Sequence, residues 1–209
     1  MRRERSHDAA CTLAFSMSSM PKLAPVAYLL AFHQAACGQV ISDPCQEAAD
    51  VLMNGGFEDS TTAWVSDPGH SWFCPKSVVP PPTGMWSGCL GTTGAATETL
   101  TQKVALPARS ATLTLSGSIC IDTMETDNLQ HDVLSLDLLD GENVIASLGT
   151  LSNRDGTSGC RFKPLQTATA QLTSHPAMAT LRLRATQDGP NMLTTFYFDD
   201  LKLTVGCTP

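Results

Sequence analysis

From residue 98 onward the chain alternates apolar and polar positions with a period of two, the spacing of a strand with one buried face. Leu100, Val104 and Leu106 share a parity, with Gln102 as the polar exception. Leu113, Leu115 and Ile119 share another, with Gly117 between them. Leu134, Leu136 and Leu138 alternate with Ser135 and Asp137, Asp140-Gly141 supplies a turn, and Val144, Ala146 and Leu148 form the return strand. Ala168, Ala170 and Leu172 follow, then Leu181, Leu183 and Ala185 against outward Arg182 and Arg184. In the last run Phe196 and Phe198 have one parity and Leu201, Leu203 and Val205 the other, so the pleat must shift between them. A bulge at Asp199-Asp200 would do so. It could carry a cation site, or simply two solvated strand-edge charges.

No segment sustains a 3.6-residue repeat over three turns, and Gln46 to Leu52 gives two turns at most. Roughly eight or nine short strands, separated by Gly, Pro, Asn and Asp, predict an all-β fold. The expected architecture is an antiparallel β-sandwich, a jelly roll, over residues 51–206, with 38–50 as a short linker.

The first 37 residues read as an address. Arg2, Arg3 and Arg5 open the chain, and a cleaner signal begins at Met20 with Lys22, the apolar run Leu23 to Phe32, then Ala35 and Ala36. That run is too short to span a bilayer and has the layout of a secretory signal peptide. The start that fits this layout is Met17 or Met20. Ala35-Ala36-Cys37-Gly38 also matches a bacterial lipoprotein leader with Cys37 lipidated, although Gln34 stands where an aliphatic residue is usual. Ordinary cleavage nearby is the other main reading, and an uncleaved tail is the third. Both main readings place the remaining chain outside the cytoplasm, secreted or lipid-anchored to the cell envelope.

Charge and cysteine content sharpen this. The 209 residues carry 13 Lys+Arg against 20 Asp+Glu, a net charge of −7. An acidic chain is a poor binder of nucleic acid or anionic membranes, so any membrane contact is expected through the lipid anchor alone. Eight Cys is high for a reduced cytosolic chain. Without Cys11 and Cys37, an even six remain: Cys45, Cys74, Cys89, Cys120, Cys160 and Cys207. If the first and last strands are neighbours, Cys45 and Cys207 would staple the termini. Cys74 and Cys89 flank Pro80-Pro81-Pro82 and would close that loop, which leaves Cys120 with Cys160. These bridges are read as structural rather than catalytic.

Several fragments, in order, carry a family resemblance. They are Asn54-Gly55-Gly56-Phe57-Glu58, Trp64, Thr99 to Pro107, Ala111 to Leu115, Asp122 to Thr126, Asp132-Val133-Leu134, Leu151-Ser152-Asn153 and Thr194 to Leu201. Together they resemble the galactose-binding-like jelly roll, and are similar to carbohydrate-binding-module-type accessory domains of secreted bacterial hydrolases and peptidases. The resemblance covers about residues 51–205. It implies that the first and last strands lie together and that a structural Ca2+ sits near them, with Glu58 and Asp199 as side-chain ligands and Asp200 as the alternate. The chain departs from the pattern between Asp67 and Cys89, where His70, Trp72, Cys74, Pro80 to Pro82 and Trp86 form a longer loop. Trp72 and Trp86 are the candidates for a sugar-stacking platform, whereas Trp64 is expected in the core.

Catalytic signatures are missing from the sequence. It holds no nucleophile elbow, no His-Glu-x-x-His helix, no phosphate-cradling Gly loop and no dinucleotide fingerprint. Beyond the leader the histidines are His70, His131 and His175, and none stands four residues from another. His131-Asp132 reads as a surface or strand-edge pair. Asp122, Glu125, Asp127 and Asp132 crowd one loop region. A solvated loop or a second Ca2+ accounts for them better than a glycosidase carboxylate pair does. The expectation is therefore not an enzyme but a non-catalytic extracytoplasmic module for cell-surface or protein interaction, with a structural Ca2+. The alternative is a carbohydrate-binding module recognising a glycan through Trp72 and Trp86.

Overall fold

The alternating runs become strands, and their apolar faces close against each other. A computed structural model describes residues 50–66, 72–91, 97–165, 168–189 and 193–207. All lie in the chain's second unit, Ile41–Pro209; the first, Met1–Val40, falls outside the described residues, as do Cys37 and the leader. In chain order the strands are β1 (Val65–Ser66), β2 (Phe73–Pro75), β3 (Trp86–Leu90), β4 (Thr97–Ala105), β5 (Ser110–Thr123) and β6 (Val133–Asp140). There follow β7 (Asn143–Ser152), β8 (Lys163–Pro164), β9 (Ala168–Gln171), β10 (Met178–Thr186) and β11 (Thr194–Cys207). One sheet has the order β1-β4-β10-β6-β7; the other runs β2-β3-β11-β5-β8, with β9 also paired to β5. Every pairing is antiparallel. The fold is thus an antiparallel β-sandwich. From Asp50 the chain is not helical, because Asp50 bridges Thr204 in β11.

The core is what the period-two pattern demanded. Leu100 and Val104 of β4, Leu181 and Leu183 of β10, and Leu134, Leu136 and Leu138 of β6 are buried together. They share one core with Leu113, Leu115, Ile119 and Ile121 of β5 and with Phe196, Phe198, Leu201, Leu203 and Val205 of β11. Each such side chain contributes about 1.5–3 kcal/mol by leaving water. Gln102, the polar exception, is 2% exposed, and its amide grips the backbone of Met53. Its Oε1 accepts from the Met53 N–H at 2.7 Å and its Nε2 donates to the Met53 carbonyl at 2.8 Å. Val51 and Asp50 bond to Leu203 on the other sheet, so the segment 50–53 is tied to both layers.

The parity change in β11 is resolved by a bulge. Asp199 pairs with Ser118 and Lys202 with Ser116, so Asp200 and Leu201 together oppose Gly117. Asp200 takes a positive φ of 52°, which turns Leu201 into the core. The Leu201 N–H donates to the Gly55 carbonyl at 3.0 Å. A Cβ on Gly55 would lie 1.9 Å from the Leu201 carbonyl oxygen, so only glycine allows this approach.

A second, smaller apolar cluster sits apart from this core. Cys89, Tyr197 and Cys120 stand side by side on β3, β11 and β5. They are buried with Cys74, Val79, Cys160 and Phe162 packed around them. Cys74 is bridged to Cys89 and Cys120 to Cys160, so two loops are bolted down on either side of Tyr197. Cys207 is also disulfide-bonded, whereas Cys45 lies outside the described residues.

Candidate functional sites

Two polar groupings stand apart on the sandwich. The first gathers where β3 begins, around the bulge. Asn54 shapes the loop that presents Glu58: its Nδ2 donates to the Ser60 and Thr62 carbonyls, and its Oδ1 accepts from the Asp59 N–H. Phe57 is fully buried and stacks on Trp64 at 5.3 Å, which leaves its neighbour Glu58 at the surface. Glu58 Oε1 accepts the N–H groups of Met85 and Trp86, each at 2.8 Å. The carboxyl lies where a side chain of residue 84 would be: a Cβ on Gly84 would fall 2.2 Å from its Cδ. Thr83 next door donates its hydroxyl to Asp200 Oδ1 at 3.0 Å and its N–H towards Asp199 Oδ2 at 3.4 Å.

Asp199 is fully buried. Burial pushes its carboxyl up to about 6, with the charges of Asp200 and Glu58 adding to the rise and the N–H groups of Asp200 and Thr83 opposing it. The three carboxylates expected as cation ligands thus surround the Thr83–Gly84 turn. They do not form the tightest ligand cluster among the described residues, which lies in the second grouping.

The two expected stacking residues part company. Trp72 is 5% exposed and packs edge-on against Phe57 at 6.2 Å and Phe73 at 5.8 Å. Its reading as a platform is corrected: the ring fills the core and offers no face to a ligand. Trp86 is half-buried and lies flat on Phe73, with ring centroids 4.2 Å apart and planes 15° apart. Trp64 is 4% exposed, in the core. His70 lies outside the described residues.

The second grouping lies where β5 ends and β11 begins. Thr123 Oγ1 accepts the Glu125 N–H at 3.1 Å and fixes the start of the β5–β6 loop. Asn153, 3% exposed, clamps its far end, accepting from the His131 and Asp132 N–H groups and donating to the Leu129 carbonyl. Between these anchors, His131 Nε2 faces Asp127 at 2.9 and 3.1 Å and Glu125 at 3.8 Å. His131 Nδ1 faces Asp188 Oδ2 at 2.6 Å, and the Asp188 N–H is held at 3.3 Å by the buried Asp132. Hydrogen bonds to Asp127 and then Asp188 push the imidazole up to about 9. Asp127 is held below the usual carboxylate range, chiefly by the Leu129 N–H and then by His131. A cavity of about 570 Å³ adjoins the group, lined by Glu125, Asp127, Asn153 and Arg154 among others.

The sequence drew attention to Asp122, Glu125, Asp127 and Asp132, and to His131 only as a surface or strand-edge pair with Asp132. Asp122 is not part of the group, since its Oδ1 accepts the Gly159 N–H at 2.8 Å and anchors the loop after β7. His131 is not a mere edge pair with Asp132. The signal that could have found it is Asp127-x-x-x-His131, a carboxylate–imidazole spacing rather than a His–His one. Asp188, 57 residues further on, carries no local signal.

No protein-family model and no curated protein matches the chain. Among solved structures it is similar to the carbohydrate-binding module TmCBM61, solved with β-1,4-galactotriose. That match has a TM-score of 0.50 and 13% identity, covering 75% of this chain and 98% of that one. It is also similar to part of the arabinose-bound α-L-arabinofuranosidase MgGH51, with a TM-score of 0.52 and 11% identity. There the match covers 78% of this chain and 27% of that one. At such identities the likeness is one of fold, the antiparallel β-sandwich.

Proposed function

We propose that the chain is a non-catalytic, extracytoplasmic carbohydrate-binding β-sandwich stiffened by a Ca2+ ion. The observation that carries the reading is Trp86, a partly exposed indole braced flat against Phe73. A sugar ring binds to a rigid aromatic face flanked by groups that hydrogen-bond its hydroxyls. The neighbourhood of Trp86 supplies such groups in Glu58, Thr83 and Asp200. The shared fold with a module solved with a galactose oligomer favours a glycan over a cell-surface protein as the partner.

Glu58, Asp199 and Asp200 would hold the Ca2+, a hard cation that takes oxygen ligands. The fit rests on Asp199: a buried carboxylate with two more beside it, and no Lys or Arg paired to it among the described residues. The ion would neutralise that charge and pin the Asn54–Glu58 loop to β11, without entering a chemical step. The extracytoplasmic placement draws on the Cys74–Cys89 and Cys120–Cys160 disulfides, since such bonds persist in oxidising compartments.

Affinity electrophoresis of the full chain through gels containing soluble β-1,4-galactan or arabinose-containing polymers tests the glycan reading. Retardation is expected for the native protein and for Val144→Ala, a change at an exposed site, and is expected to vanish in Trp86→Ala. Undiminished retardation of Trp86→Ala, or none for the native chain on any polymer, would sink it.

A further inference from the structure

We propose that Glu125, Asp127 and His131 bind a divalent transition-metal ion of the zinc type, with Asp188 fixing the imidazole from behind. The site is independent of the glycan reading and of the carboxylates around Thr83. One ligand atom from each of the three residues falls within a sphere where all lie under 4.8 Å apart. His131 Nε2 stands 2.9 Å from Asp127 Oδ1 and 3.8 Å from Glu125 Oε2. Around an ion bound at about 2.1 Å, neighbouring N and O ligands are separated by about 3.0–3.4 Å, so small movements close the shell.

The second ring nitrogen supports the same assignment. Nδ1 lies 2.6 Å from Asp188 Oδ2. Without an ion both ring nitrogens donate, Nε2 to Asp127 and Nδ1 to Asp188; an ion that displaces the Nε2 proton leaves the Nδ1–H bond to Asp188 to fix the tautomer and the ring orientation. A metal-binding histidine is commonly oriented by a carboxylate in this way. Asp188 is in turn held by Asp132, which is wholly buried.

Glu125 is the independent indication of a ligand. Its side chain is only 7% exposed, yet 3.8 Å is too long for a hydrogen bond to His131. Among the described residues no other group donates to its carboxylate. Its carboxylate is held by charge alone beside the imidazole, and an ion at the point shared with Asp127 and His131 would give it a direct ligand bond. Glu125 and Asp127 also line the 570 Å³ cavity, which gives an ion an entry path. Three protein ligands leave a fourth coordination position for water or an exogenous oxygen. The imidazole decides the class of ion, because a nitrogen donor suits zinc and its neighbours and is foreign to a calcium shell.

The test is calorimetric titration of ZnCl2 into the untagged full chain after chelator treatment, with Co2+ absorption as a spectroscopic reporter of the imidazole. One saturable ion is expected, not displaced by excess Ca2+. His131→Ala should lose it and the histidine-dependent Co2+ spectrum. Glu125→Gln, which keeps the shape and removes the charge, should weaken it and serves as a second variant should His131→Ala fail to fold. Asp188→Asn should weaken binding by about 10–100-fold through the ring orientation alone. No saturable site in the native chain, equal affinity in Glu125→Gln and His131→Ala, or displacement by Ca2+ at matched concentration would overturn the proposal.

Discussion

Truncating Gln102 should detach the amino-terminal segment from the sandwich. The side chain is 2% exposed and makes two hydrogen bonds, at 2.7 and 2.8 Å, to the N–H and carbonyl of Met53. Gln102→Ala leaves both backbone groups without partners, and each buried loss costs about 1–3 kcal/mol. The segment can swing out and let water satisfy them, so the sum settles near about 3 kcal/mol. For a domain of this size that is roughly 6–12 °C in Tm. Differential scanning calorimetry would give the shift, and amide exchange would locate it. Val51 and Leu203, whose N–H groups lie in the same attachment, should exchange faster while Leu183 in the sheet centre does not. Gln102→Glu keeps the acceptor for the Met53 N–H but sets a carboxylate oxygen against its carbonyl, and should fall at least as far. A loss below about 0.5 kcal/mol, the size of an ordinary surface change, would refute the clamp.

The remaining expectations concern the bulge, the bridges and the sugar face. In chelator, Asp199 has a folded value near 6 against 3.8 as its ordinary one, so the native state holds the proton more tightly than the unfolded chain. Its contribution to stability is full below about pH 4 and lost as the pH rises through 6. The native-minus-Asp199→Asn difference in unfolding free energy should therefore decline across that window, and a flat difference would contradict it. Between the disulfides, Cys120–Cys160 closes 40 residues and Cys74–Cys89 closes 15. Loop entropy then assigns about 4 and about 3 kcal/mol, so the paired alanine variants should rank in that order in denaturant melts. Trp86→Ala should lower Tm by only a few degrees, the loss of its stacking on Phe73, while abolishing polysaccharide retardation; a much larger Tm loss would return Trp86 to the core.

What the sequence made legible was whatever depends on near neighbours. Alternation in β4, β6 and β10 fixed which residues face inward, and the parity break after Phe198 fixed the bulge, because each is a count along one strand. The two-residue strands β1 and β8 carry no period and could not be read. Gln102 was visible as an exception but not as a clamp, since its partner is 49 residues away. Trp72 and Trp86 were equivalent on paper. Phe57 draws one ring inside while Phe73 holds the other at the edge, and only the packing separates them. The His131 group needed Asp188 and Asn153, brought in from two other loops, to become more than an acidic stretch.

The bulge at Asp200 has a consequence for how the last strand tolerates change in length. Upstream of it even-numbered residues point to the core, and downstream odd-numbered ones do. The strand is therefore read in two frames, and each frame has its own client. The first carries Tyr197 between the two disulfides. The second receives the segment 50–51 through Leu203 and Thr204. Substitutions on either side act locally, but deleting Asp200 would remove the extra residue and merge the two frames into one, keeping Leu201, Leu203 and Val205 inward at the loss of the Asp200 contact with Thr83.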